Sequence, residues 1–222
     1  LTIMEEGSEF VHRVKNGGVL PMLTSCSPGW IKFVEQFYPD FIPNLSTCKS
    51  PQAMLGSLVK AWYAERQGVK PEKVFTVSIM PCTAKKFEVG RPELSRDGMA
   101  DVDAVLTTRE LARLIRMRGL ALQKLEPAEA DQPFGERSTA GKLFGASGGV
   151  MEAAIRTAYF LITGKELEEL KVQAVRGLDG VKEVSLEING MKIGAAVASG
   201  LGNARKLLDE VEGSVDIALS AS

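Results

Sequence analysis

The sequence predicts an α/β fold, and three observations predict it. The first is the stretch 73–79, which is short, β-branched and aromatic, bounded by Pro71 and Pro81, and so reads as a buried strand. It runs directly into Pro81-Cys82 and the lysine pair Lys85-Lys86. The second is 19–25, another buried-strand candidate, which leads through Cys26-Ser27-Pro28-Gly29-Trp30 into a helix reaching about Phe37. Pro28 suits a first helical turn, where a missing N–H costs nothing. Both stretches thus share one order: strand, cysteine, proline, helix. The third is the carboxyl-terminal part, where 172–176, 181–188 and 191–198 read as strands before a closing helix at 201–211.

The remaining elements follow from spacing and punctuation. Residues 1–16 form an amphipathic helix with Ile3, Phe10, Val11 and Val14 on its apolar side, ended by Gly17-Gly18. The chain opens without a cap or an initiating Met, as expected of a piece of a longer polypeptide. Ser50-Pro51-Gln52 starts a helix, with Ser50 as cap and Met54, Leu55, Leu58, Val59 and Trp62 expected to face inward. The segment 88–98 reads as a polar loop, 103–106 as a strand, and 108–117 as a helix with Leu111, Leu114 and Ile115 inward. The segment 124–140 is polar, contains Pro127 and Pro133, and lacks periodicity, so it reads as a linker between lobes 1–123 and 141–222. The glycine-rich run 144–149 opens a helix to about residue 161. It lacks a P-loop lysine and the dinucleotide spacing, which leaves close backbone packing as its use. Asn189-Gly190 is a hairpin turn, and 214–222 reads as a strand cut short.

Composition narrows the functional classes. The chain has 222 residues, 45% of them hydrophobic, and a formal charge of −1. It can bury a substantial core, and it offers no electrostatic case for nucleic acid or an anionic membrane. No apolar run is long enough to span a bilayer, and the start resembles no secretory signal, so a cytoplasmic location is expected. Three cysteines, odd in number and widely spaced, do not make a disulfide framework. The one histidine, His12, lies on the first helix and suggests no Cys–His pair.

Two readings of Cys82 stand on residues alone. Ligands of open α/β sheets gather at the carboxyl ends of the strands, and neighbouring lysines favour a thiolate that binds metal or attacks. A buried structural cysteine beside two solvated lysines accounts for the same residues. Glu6 and Glu9, one helical turn apart, read by themselves as a solvated acidic face.

Several stretches together resemble the catalytic domain of the iron-only (diiron) hydrogenases. They are Thr24-Ser25-Cys26-Ser27-Pro28-Gly29-Trp30, Ser50-Pro51-Gln52, Met80-Pro81-Cys82-Thr83-Ala84-Lys85-Lys86-Phe87-Glu88, Thr107-Thr108-Arg109-Glu110-Leu111-Ala112, the run 144–152, and Val175-Arg176-Gly177. The resemblance implies two α/β lobes, each around a twisted, mostly parallel sheet, with the active site in a cleft between them. It implies a 4Fe-4S cluster bridged by a cysteine to a diiron subsite, together the H-cluster, and the reversible interconversion of H2 with protons and electrons. By position, Cys82 is implied as a cluster ligand and Lys85 as a hydrogen-bond donor to a cyanide of the diiron subsite. Cys26 is implied as the proton-passing thiol, with a path outward through Glu6, Ser46 and Glu9. Pro51, Gln52, Met80 and Phe144, with Ala146 and Ser147 of the glycine-rich run, are implied to line the diiron pocket. The implied partners are a ferredoxin or accessory iron–sulfur domains or subunits, and maturation proteins.

The sequence departs from the family pattern in two places. Ser27 stands where the family usually has a second, ligating cysteine, and a serine oxygen is a poorer partner for iron than a thiolate. Cys48, two residues beyond Ser46, is a candidate to compensate. The two-cysteine third motif is not found, so this chain alone is expected to be inactive and not to keep a full cluster. The alternative expectation is a hydrogenase-like, non-enzymatic iron–sulfur scaffold, sensor or assembly protein.

Overall fold

The computed structural model describes residues 1–135, 148–167 and 180–211, and the backbone of 173–174 and 218–221. Helices and sheets are mixed along the chain, as the α/β class requires. The described chain forms two compact units, Leu1–Cys48 with Ser138–Ser222, and Lys49–Arg137. The first unit draws on both ends of the chain, and so does its apolar core. Leu23, Trp30, Phe33 and Val34 are buried in one cluster with Val181, Ala196, Ala198, Ala204, Leu207, Leu208 and Val211.

In the first unit, helix α1 (Thr2–Asn16) ends as expected at Gly17, whose φ of 69° is left-handed. Helix α2 (Pro28–Phe37) carries Pro28 in its first turn. The expected strand at 19–25 is reduced to one parallel bridge, Leu23 with Leu45. Only the Leu23 amide and carbonyl are used there, bonded to Asn44 and Ser46; Pro21, two residues earlier, has no N–H to extend a ladder. Helix α7 (Gly149–Thr163) lies against α1 closely enough that a Cβ on Gly7 would sit 3.2 Å from Thr157. Strands β5 (Gln173–Ala174), β6 (Val181–Ile188), β7 (Met191–Ala198) and β8 (Ala218–Ala221) form a sheet in chain order, with helix α8 (Leu201–Val211) between the last two. Its first two pairings are antiparallel and only β7–β8 is parallel, so this sheet is not the mostly parallel one expected. The β6–β7 hairpin turns at Asn189-Gly190, both at positive φ.

In the second unit, β1 (Val77–Ile79) pairs in parallel with β4 (Ala104–Leu106). β1 is shorter than the expected strand and is not buried. Val77 and Ile79 are 46% and 50% exposed, because β4 is its one sheet neighbour among the described residues. The polar loop after β1 hides a small hairpin, β2 (Ser95–Arg96) and β3 (Met99–Ala100), turning at Asp97-Gly98 with both φ values positive. Helix α3 (Pro51–Leu58) continues through a π-helical turn, Val59–Tyr63, into α4 (Ala64–Arg66). Its buried side is Gln52, Ala53, Gly56, Lys60 and Ala64; of the residues expected to face inward, Leu55 and Trp62 are exposed and Met54, Leu58 and Val59 are half-buried. The reason is a close approach: a Cβ on Gly56 would fall 2.4 Å from the Asp101 carbonyl oxygen. Lys60 is held there by Asp103 at 2.7 Å and the Ala100 carbonyl at 2.6 Å. Helix α5 (Ala84–Glu88) follows Cys82, and α6 (Thr108–Met117) is closed at its start by a Thr107–Glu110 capping box. Leu111 and Ile115 of α6 are half-buried, but Leu114 is exposed.

Candidate functional site

Each unit contributes its own cluster of chemistry-bearing residues. In the first, the 3.6-residue period of α1 places Glu6, Glu9 and Arg13 along one side. Glu6 is 2% exposed, and neither of its carboxylate oxygens has a hydrogen-bond partner among the described residues. Burial raises its pKa; the Ser25 amide, short of full hydrogen-bond geometry, draws it part of the way back, and the charge of Glu9 adds to the rise.

Glu9 is treated in the opposite way. Arg13 donates to its Oε1 from Nη2 at 2.6 Å and Nε at 3.0 Å, and Ser46 Oγ donates to Oε2 at 2.7 Å. The Thr47 amide donates to both oxygens at 3.1 Å. Burial pushes the Glu9 pKa up, but these hydrogen bonds and the Arg13 charge outweigh it, so the net shift is downward. Arg13 also donates to the carbonyls of Val19, Asn44 and Leu45 at 3.1, 3.2 and 2.8 Å, which fixes the loop that carries Ser46. Two carboxyl groups one turn apart are therefore held with pKa values driven apart, the condition for one to keep a proton while the other stays ionised.

Cys26 and Ser27 sit at the start of α2, both half-buried, with Ser27 as a cap residue whose side chain makes no capping bond. The turn before them is fixed by Trp30 Nε1 donating to the Thr24 carbonyl at 3.0 Å and Ser25 Oγ donating to the Cys48 carbonyl at 2.6 Å. Cys48 Sγ lies 3.6 Å from Glu9 Oε2. Its pKa rises from the ordinary 9.0 to about 11: burial raises it most, a hydrogen bond with Ser46 opposes, and the charges of Glu9 and Glu6 add to the rise. The thiol, held in its protonated form, is directed at the Glu9 carboxylate in this structure.

In the second unit, Cys82 is exposed at the end of β1, beside α5. Lys85 and Glu88, both buried on α5, form an ion pair with Nζ 3.0 and 3.1 Å from the two oxygens. Glu88 Oε2 also accepts from Ser50 Oγ at 2.9 Å and Gln52 Nε2 at 3.3 Å, and Gln52 Oε1 accepts from Ser78 Oγ at 2.7 Å. Ser50 caps α3 at the same time, accepting from the Ala53 amide, with Pro51 next to it in the first turn. The Met80 amide bonds to the Leu106 carbonyl, which anchors the strand end before Cys82. Phe144, Ala146 and Ser147 lie outside the described residues.

The structure thus groups Glu6, Glu9, Ser46 and Cys48 in the first unit, and Lys85, Gln52 and Ser50 in the second. The sequence reading missed Arg13, Thr47 and Glu88. Glu9 and Arg13 have the i,i+4 spacing of a helical ion pair, and Glu88 stands one turn after Lys85, so two of the three were visible as spacing. Thr47 acts through its backbone, which no sequence signal marks.

The donor set meets the implied iron–sulfur group only in part. A cubane takes four thiolates; the chain has three cysteines, and Cys48 is engaged with Glu9. Among the described residues no group of three or more His, Cys, Asp or Glu is placed to hold a metal. The residues present supply part of such a site, Cys82 and Lys85, and do not complete it.

The site thus consists of an acid pair on one helix, with Glu6 buried and Glu9 half-buried, and a separate cysteine and lysine at a sheet edge. The chain belongs to the family described as the iron-only hydrogenase large subunit, C-terminal domain, which matches residues 1–217. It is 49% identical over 208 residues to iron hydrogenase 1 of Clostridium pasteurianum, covering 94% of this chain and 36% of that protein. To the periplasmic Fe hydrogenase large subunit of Nitratidesulfovibrio vulgaris it is 48% identical over 214 residues, 96% of this chain and 51% of that one. It is also 36% identical over 228 residues to cytosolic iron-sulfur assembly component 3 of Mus musculus, 95% of this chain and 46% of that protein. Among solved structures, the FeFe-hydrogenase HydA1 of Chlamydomonas reinhardtii matches with a TM-score of 0.86 and 40% identity, over 99% of this chain and 64% of that one. The chain therefore spans between 36% and 51% of the length of these curated relatives. No helix among the described residues is long and apolar enough to cross a membrane.

Proposed function

We propose that this chain is the catalytic-domain portion of a diiron hydrogenase that interconverts H2 with protons and electrons. The observation that carries the reading is the acid pair, with Glu6 buried and held toward its neutral form and Glu9 hydrogen-bonded and held ionised. A scaffold needs no such split, whereas a proton path needs one group to keep a proton and a neighbour to take it. When bound, the metal group supplies the electrons and the hydrogen chemistry. The chain's own residues have narrower roles. Cys82 would be one ligand, Lys85 a fixed cation for the group, Gln52, Pro51 and Met80 its wall, and Cys26 would hand protons toward Glu6, Ser46 and Glu9. The thiolates that this chain lacks come from elsewhere in the working assembly. A ferredoxin or an accessory iron–sulfur domain carries the electrons, maturation proteins install the metal group, and the site of action is the cytoplasm.

A second reading, an iron–sulfur scaffold or assembly factor, is favoured by the likeness to the mouse assembly component along nearly the whole chain. The test is made on the native-length polypeptide that carries this domain, produced anaerobically with hydrogenase maturation proteins. Infrared bands of bound carbonyl and cyanide, with H2 evolution that falls by roughly a hundredfold in Glu6→Gln, are expected. Bound iron without those bands and without H2 turnover would replace the hydrogenase reading with the scaffold.

A further inference from the structure

Residue 48 touches both ends of the acid site, and neither the family match nor the relatives assign it a part. Its carbonyl accepts from Ser25 Oγ at 2.6 Å, one residue before Cys26. Its amide donates to Ser46 Oγ at 3.1 Å, and its thiol lies 3.6 Å from Glu9 Oε2. Ser46 Oγ is thus both acceptor from Cys48 and donor to Glu9, so its hydroxyl proton is aimed at the carboxylate rather than left to rotate. Glu9 Oε2 meets two side-chain donors, one hydroxyl and one thiol. Around the thiol stand Glu9 and, at longer range, Glu6, with Arg13 on the far side of the Glu9 carboxylate. Among these groups the buried Glu6 carboxyl is the one without a hydrogen-bond partner.

We propose that Cys48 is a positioning residue of the acid pair: its thiol holds Glu9 Oε2 jointly with Ser46, and its backbone ties that end of the site to the turn that presents Cys26. The role requires neither a bound metal nor the passing of a proton. The role follows from donor geometry. With the thiol in place, Oε2 meets three donors; without it, the Ser46 hydroxyl and the Thr47 amide remain, and Ser46 is the one side chain that orients that oxygen. The proposal rests on the proton-path reading, but it is tested on the chain without any metal group, so the two can fail separately.

The measurement is the S–H stretching region of the infrared spectrum of the reduced chain, with Cys48→Ala subtracted to isolate the Cys48 band. A thiol bonded to a carboxylate should absorb at lower frequency than the exposed Cys82 thiol, assigned the same way with Cys82→Ala. In Glu9→Gln the Cys48 band should move toward the Cys82 position, because a neutral amide is a weaker acceptor. Alkylation of Cys48 at neutral pH should speed up in the same variant, by roughly threefold for each pKa unit released, because the larger thiolate fraction is partly offset by lower nucleophilicity. Should Glu9→Gln fail to fold, Cys48→Ser and Cys48→Ala replace it. Serine should keep the low Glu9 pKa, read from the carboxylate band against pH, and alanine should raise it. A Cys48 band and alkylation rate indifferent to Glu9→Gln, or equal Glu9 titrations in the Ser and Ala variants, would overturn the proposal.

Discussion

Two charged pairs, each within one helical turn, do opposite jobs in this molecule. On α1, Glu6 and Glu9 are alike in chemistry and are made unlike by their surroundings, burial for one and a ring of donors for the other. On α5, Lys85 and Glu88 are opposite in charge and neutralise each other, and Glu88 spends its remaining acceptor capacity on Ser50 and Gln52. The first arrangement keeps a proton available. The second keeps a cation in place. Spacing on a helix brings groups together, but the donors arriving from other segments decide whether the pair can titrate.

The comparison breaks most sharply at Glu88. Glu88→Gln removes the carboxylate from a buried ammonium, and stability should fall by roughly 3–5 kcal/mol in urea unfolding. Adding Lys85→Met to that variant should recover much of the loss; no recovery would mean that Glu88 matters for Ser50 and Gln52 rather than for Lys85. On α1 the expected effect is a change of pH dependence. Glu6 has a raised folded-state pKa, so its contribution is complete below the ordinary carboxylate value of 4.5 and declines as pH rises through the folded value. Glu9 has a lowered one, so its contribution is present above 4.5 and is lost as pH falls through the folded value. Stability measured against pH should lose its decline above 4.5 in Glu6→Gln and its acid-side loss in Glu9→Gln. Identical curves for the two variants would erase the distinction between the acids. The smallest effect lies away from both pairs. Thr107→Ala should cost about 1 kcal/mol through the lost cap of α6, and it should leave both pH slopes alone.

Local chemistry was legible in the sequence, and burial was not. Pro28 in the first turn of α2, Gly17 closing α1, Asn189-Gly190 at the hairpin and the bounds of α6 all follow from preferences within a few residues. Asp97-Gly98 carried the same turn signal inside a stretch read as loop. Val77 and Ile79 look like core residues by type but are exposed, because burial depends on what covers a strand rather than on the strand. The α3–α4 helix misleads for a related reason. Leu55 and Trp62 of its apolar stripe are exposed because the closest packing is on the side of Gly56, which permits an approach to Asp101 that no larger residue allows. At the site, the family motif drew attention to Cys82 and Lys85, while the contacts of Arg13 and Glu88 depend on loops and helices distant in sequence.

The grip on Glu9 has a kinetic meaning. Arg13 holds one oxygen from two nitrogens, Ser46 and Cys48 hold the other, and the Thr47 amide reaches both. A carboxylate held on every side cannot ferry a proton by swinging between rotamers. On the proposed proton path, transfer at this position would proceed by exchange along bonds already formed, its tempo set by hydroxyl and solvent reorientation, with the side chain itself standing still.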